Sequence, residues 1–212
     1  MTILGISASG RVSSVTSDAV MAVLEASGET YEFLSLAGKQ INGCRGCVAC
    51  AKDNRCKVAD DWQDIGERML AAEAIVFGAP NYYGTLNALG HACLERTFCF
   101  RHREAFSLAG TLGVAVAVDR KSEDSPVLSF VRKIMGSNLM PVVGTVRAEG
   151  VSQCYDCGFG EDCAVGSVVA KHGFLDCIRE EHRPRPFSEQ EESVAQAIKV
   201  GKVLGSILRA RQ

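Results

Sequence analysis

Four cysteines stand within thirteen residues at Cys44, Cys47, Cys50 and Cys56, spaced C-x2-C-x2-C-x5-C. Thiols so close along the chain cannot easily avoid one another in space. Thiolates are the usual ligands of iron–sulfur clusters and of structural zinc. A 4Fe–4S cluster needs four thiolates at the corners of a cube, and tight x2 spacings in a loop allow that. A four-thiolate zinc site accepts similar spacing. Free thiols without a metal, or a disulfide, are the plain alternatives, and spacing alone leaves all of these open. Arg45, Lys52, Arg55 and Lys57 flank the array and would offset a cluster's negative charge.

A second group comes late in the chain: Cys154, Cys157 and Cys163, with Cys177 fourteen residues on. It reads as a second cluster or zinc knuckle, as redox-active or disulfide pairs, or as unpaired thiols. Gly158, Gly160 and Gly166 make the segment supple enough to fold around a metal, and little apolar material is present to fold on otherwise. Cys93 and Cys99 fall near the end of an expected helix and read as core residues. His91, His102, His172 and His182 have no partner at a recognisable catalytic spacing and receive no role.

Ten cysteines are many for 212 residues. The N-terminus is strand-like, without a basic region or cleavage site, so a reducing cytoplasm is expected. There, clustered cysteines favour metal or redox chemistry over disulfide staples. A net charge of −2 offers a nucleic acid no electrostatic support. No apolar run approaches the roughly 20 residues needed to span a bilayer. With 47% hydrophobic residues, one domain over residues 1–212 has material for a sizeable core.

Positioning the cysteines requires a scaffold, and the hydrophobic pattern supplies one. Strands are expected at Met1–Ser7, Tyr31–Leu36, Ala74–Gly78, Gly110–Val118 and Met140–Val146. Helices are expected at Ser17–Ala26, from a cap at Asp60-Asp61 to about Ala72, at about Leu86–Phe98, and at Pro126–Met135. A last helix opens at Ser188 and runs to about Arg211. The alternation predicts a five-stranded parallel sheet with helices on both faces, interrupted by a cysteine-rich insertion over 150–182. Ligands of such sheets sit at the carboxyl ends of the strands. There the chain places a hydroxyl-rich turn with Ser7, Ser9, Arg11, Ser14, Val15 and Thr16, an aromatic turn, and a polar loop opening at Asp119. Hydroxyls, amides, an arginine and a helix N-terminus suit a single terminal phosphate. The dinucleotide and P-loop glycine patterns are absent.

The first turn, Gly5 to Thr16, resembles the phosphate loop of the flavodoxin-like NADPH-dependent FMN reductases, and more closely that of their iron–sulfur flavoprotein branch. Ser7, Ser9, Arg11 and Thr16 match; Val15 stands where asparagine is common and Gly10 where proline is. The run Ala79, Pro80, Asn81, Tyr82, Tyr83 and Gly84 is similar to the family loop that wraps the isoalloxazine, and Glu95-Arg96 sits where the family has an Asp-Arg pair. The cysteine array lies where the branch carries its 4Fe–4S ligands. One departure is the loop after strand four, Val118 to Pro126, which is polar where the family is often glycine-rich. The resemblance implies bound FMN, a 4Fe–4S cluster and a homodimer or homotetramer. The redox partner would be NAD(P)H or a ferredoxin. The alternatives are an NAD(P)H-dependent FMN or quinone reductase whose cysteines bind zinc or nothing, and a non-enzymatic flavin redox sensor.

Overall fold

Leu4–Ile6 and Ala74–Phe77 carry apolar side chains with almost no alternation, a pattern suited to strands covered on both faces. In the computed structural model, which describes residues 2–119 and 125–211, they lie in β1 (Thr2–Ser7) and β3 (Ala74–Tyr82). With β2 (Thr30–Ser35), β5 (Leu112–Asp119) and β6 (Val142–Glu149) they form a parallel sheet in the order β2-β1-β3-β5-β6. The expected five parallel strands are therefore present. Residues 120–124 of the polar loop lie outside those described.

One core packs α1 (Val15–Ser27) and α6 (Glu191–Arg209) on one side of the sheet. The other packs α2 (Trp62–Ala71), α3 (Ala88–Glu95) and α4 (Pro126–Ser137) on the opposite side. At the α1–α6 crossing, a Cβ on Gly205 would lie 2.0 Å from the Ser27 carbonyl oxygen. No helix among the described residues is long and apolar enough to cross a membrane.

Local differences have local causes. A short strand, β4 (Thr85–Leu86), pairs antiparallel with the end of β3, so Leu86 is not helical and α3 begins two residues later. Its continuation over Arg96–Phe100 tightens into a 3-10 turn. Helix α1 starts at Val15 because the Ser14 hydroxyl accepts the Ser17 amide as N-cap. Ser188 does not cap α6. It lies in a 3-10 turn, and the Gln190 side chain instead bonds both backbone groups of Glu149, tying the helix start to β6. Asp61 makes no capping bond within α2; its carboxylate accepts the Gln40 amide.

Asp60 accepts the Trp62 amide, but its main partner is Arg96, which is 1% exposed. The guanidinium grips the carboxylate with both terminal nitrogens, at 2.9 and 3.2 Å. It also donates to the carbonyls of Asn42 and Val58, and stacks 4.9 Å above the Trp62 ring. One buried side chain thus clasps both ends of the cysteine loop.

Burial alone would raise the Asp60 pKa. Hydrogen bonds from Arg96 and Asn42 outweigh it and lower the carboxyl from 3.8 to about 2. A depressed folded-state pKa contributes stability above the unfolded value, here about 2 kcal/mol, and that contribution is lost as pH falls from about 4 to about 2. Asp60→Asn should cost about 3–5 kcal/mol at neutral pH by leaving Arg96 buried without its counter-charge. The gap between the urea unfolding curves of variant and parent should narrow across that acid window. A gap that stays constant would show that Asp60 is not held ionised by Arg96.

Candidate cofactor sites

The cysteine loop is held along its length by its neighbours. The Asn42 amide donates to Asp60, and the Cys44 amide donates to the Glu95 carboxylate at 2.9 Å. Asn54 exchanges two hydrogen bonds with the His102 backbone, at 2.9 and 3.2 Å. Between these ties, Gly46 and Val48 take left-handed conformations and a 3-10 turn spans Ala49–Lys52. All four cysteines of the array line one cavity with Val48, Phe98 and His102. His102 Nε2 is 3.1 Å from Cys50 Sγ. Burial raises the Cys50 pKa, and Cys56, Cys47 and Cys44 push it the same way.

Among the described residues, no three His, Cys, Asp or Glu side chains are gathered as a site for a metal ion. The array nevertheless supplies four cysteines free of disulfides that line one cavity, the donor set that an iron–sulfur cluster uses at separate corners. Cys44 and Cys47 are exposed at its rim. The flanking charges divide. Arg55 pairs with Glu67 and does not line the cavity, whereas Arg45, Arg96 and the Asp53-paired Lys57 do.

The hydroxyl-rich turn leaves β1 at the sheet's carboxyl edge. Ser7, Ser9 and Thr16 are buried. Ser9 Oγ accepts the Arg11 amide, and the Ser17 hydroxyl donates to Ser7. The amides of Val15 and Thr16 begin α1 and have no intrahelical acceptor. Close backbone packing brings the helix start to the sheet, since a Cβ on Gly78 would lie 2.5 Å from Val20 and 3.1 Å from Thr16. The Arg11 guanidinium is half-exposed and faces Asp156 at 3.5 Å.

Strand β3 runs four residues past the expected end at Gly78. Ala79, Pro80, Asn81 and Tyr82 therefore belong to it, and Tyr83-Gly84 form a two-residue hairpin turn to β4, both with positive φ. The Asn81 side chain accepts the Gly84 amide, and Tyr83 is fully exposed. An open cleft of about 530 Å³ lies between this hairpin and α3, lined by Tyr82, Tyr83, Leu86, His91 and Glu95. Asp119 ends β5 beside these turns. It is 5% exposed, and neither carboxylate oxygen has a hydrogen-bond donor among the described residues; Arg147 stands 3.8 Å away.

The second cysteine group lies in the segment between β6 and α6, around the short helix α5 (Ser167–His172). Cys154 and Cys163 are half-buried and Cys157 and Cys177 exposed. Cys93 and Cys99 are buried, and burial pushes each thiol up to about 12, as core residues require. One contributor escaped the sequence: His102 lies 52 residues from Cys50, and no spacing rule joins them. Glu95, marked in the sequence only as half of the Glu95-Arg96 pair, touches both the aromatic cleft and the Cys44 amide, a link that the folded backbone reveals.

Residues 1–150 match the model of the NADPH-dependent FMN reductase family. An iron–sulfur flavoprotein of Methanocaldococcus jannaschii is 35% identical over 150 residues, covering 68% of this chain and 76% of that protein. One from Archaeoglobus fulgidus is 25% identical over 197 residues, covering 91% and 86%. Among solved structures, RosB with a bound 8-demethyl-8-formylriboflavin-5'-phosphate superposes with a TM-score of 0.60 at 15% identity, covering 100% of this chain and 86% of that one. A likeness at that identity concerns the fold alone. The chain belongs to the NADPH-dependent FMN reductase family, in its iron–sulfur flavoprotein branch, and is an FMN-dependent oxidoreductase.

Proposed function

We propose that this oxidoreductase exchanges electrons between FMN and a 4Fe–4S cluster on Cys44, Cys47, Cys50 and Cys56. When bound, the flavin takes up two electrons and can release them singly, while the cluster handles one at a time. The observation that carries the reading is the single cavity lined by all four thiols, its loop fixed at both ends by Arg96. The printed names of the relatives support it.

The chain's own groups hold and bias the cofactors. The Ser9 and Thr16 hydroxyls and the Val15 and Thr16 amides meet the phosphate, Ser7 and Ser14 brace the turn, and Arg11 adds charge. Asp119, whose carboxylate oxygens have no hydrogen-bond donor among the described residues, would offer that buried carboxylate to a ligand N–H or O–H. Pro80 to Gly84 shape the surroundings of the ring. No acid–base residue is required. NAD(P)H or a ferredoxin-like protein serves as redox partner, in a reducing cytoplasm. Exposed Tyr82 and Tyr83 suit a homodimer or homotetramer contact.

Anaerobically purified protein should show flavin bands with a broad shoulder between them that bleaches with dithionite. The shoulder should vanish in Cys44→Ser/Cys47→Ser while the flavin bands stay; colourless protein with stoichiometric zinc would sink the proposal. Arg11→Ala should weaken FMN binding about fivefold, in keeping with a half-exposed ion pair, and leave riboflavin binding unchanged. Equal loss for both ligands would remove Arg11 from the phosphate site. His102→Ala should lower the cluster's midpoint potential, because a donor near a cluster thiolate stabilises the more negative, reduced state. A redox titration with no shift would deny His102 that role.

A further inference from the structure

The family match ends at residue 150, where the second cysteine segment begins. From Gly150 to His182 the large side chains buried are Tyr155 and Val168, while Phe159, Val165 and Phe174 face outward. Such a segment lacks a core of its own. Its backbone is nevertheless drawn into a knot. A Cβ on Gly160 would sit 2.0 Å from the Cys154 carbonyl oxygen and 3.0 Å from Ile178. One on Gly166 would lie 3.0 Å from the Cys163 carbonyl and 3.3 Å from its sulfur. The Leu175 amide donates to Glu161 at 2.9 Å. Three passes of chain carrying Cys154, Cys157, Cys163 and Cys177 therefore converge around Gly160.

The surroundings are those of thiolate ligands. Cys154 Sγ accepts the Ser167 amide at 3.4 Å, and Cys154 donates its own amide to Ser152, whose hydroxyl is 2.7 Å from that of Ser167. Arg179 stands by Cys177. Each nearby histidine has one ring nitrogen engaged: His172 Nε2 is 3.1 Å from the Tyr155 hydroxyl, and His182 Nδ1 accepts the Arg179 amide. The four cysteines alone supply a complete tetrahedral donor set.

We propose that Cys154, Cys157, Cys163 and Cys177 form a second metal centre, binding zinc or an iron–sulfur cluster, independent of what the first array holds. No three of these side chains are yet gathered as a metal site among the described residues, so binding would draw in the exposed Cys157 and Cys177, and the coordinating thiols would release their protons to solvent as metal–sulfur bonds form. The metal supplies the cohesion that the missing core does not. Asp156, between two of the ligands, pairs with Arg183 and faces Arg11, so the centre borders the phosphate turn.

Full-length protein from cells supplied with iron and zinc should be purified anaerobically, with Cys44→Ser/Cys47→Ser and Cys154→Ser/Cys157→Ser variants alongside. The first variant should keep about one zinc, or about four iron with matching sulfide, and that identity decides the metal. The second should lose that same complement. A metal-free first variant overturns the proposal. Iodoacetamide on unaltered protein gives a check that does not depend on the variants folding. Cys157 and Cys177 should resist alkylation until a chelator is added; prompt labelling of both in metal-replete protein overturns the proposal equally.

Discussion

A charge buried without a counter-charge costs several kcal/mol, and Arg96 is almost wholly inside the protein. Its pairing with Asp60 is the condition on which the cysteine site depends. Once the guanidinium is committed to that carboxylate, its two terminal nitrogens also reach the carbonyls of Asn42 and Val58, and the Trp62 ring closes the other side. Trp62 is pinned in turn through its indole N–H to the Cys93 carbonyl. The loop is therefore referenced to α2 and α3, and through them to the sheet.

The other candidate site residues collect at the carboxyl edge of the central strands, where parallel sheets leave their turns open. The hydroxyl-rich turn, the tyrosine hairpin and Asp119 come from three adjacent strands, β1, β3 and β5. Their closeness follows from strand order rather than from chain order. Glu95 joins this edge to the cysteine loop, because its residue lines the cleft beside the hairpin while its carboxylate receives the Cys44 amide.

Much of this was legible beforehand because it depends on local pattern. Continuous apolar runs marked β1, β3 and β5, and the turns after them carried their chemistry in consecutive residues. The cysteine array marked four candidate ligands by their spacing, which left open what they hold. What could not be read depends on distance across the fold. His102 reaches Cys50 only because Asn54 clips its backbone to the loop. The hairpin at Tyr83-Gly84 was hidden because tyrosine is an uncommon residue at positive φ. The start of α6 was misplaced because Gln190, not the better capper Ser188, is bound to β6. Of the flanking cations, Arg55 is held by Glu67 and does not line the cavity, whereas Lys57 lines it while paired with Asp53.

The clasp at Arg96 also bears on the order of assembly. The ends of the first cysteine loop are joined by protein groups alone, so under the proposed function closing that loop would not wait for iron. On that reading the folded chain would stand as a receptive apoprotein, open to delivery of a preformed cofactor. Maturation would then be a docking event on a finished surface, separable in time from synthesis, and replacing a lost centre would need no refolding.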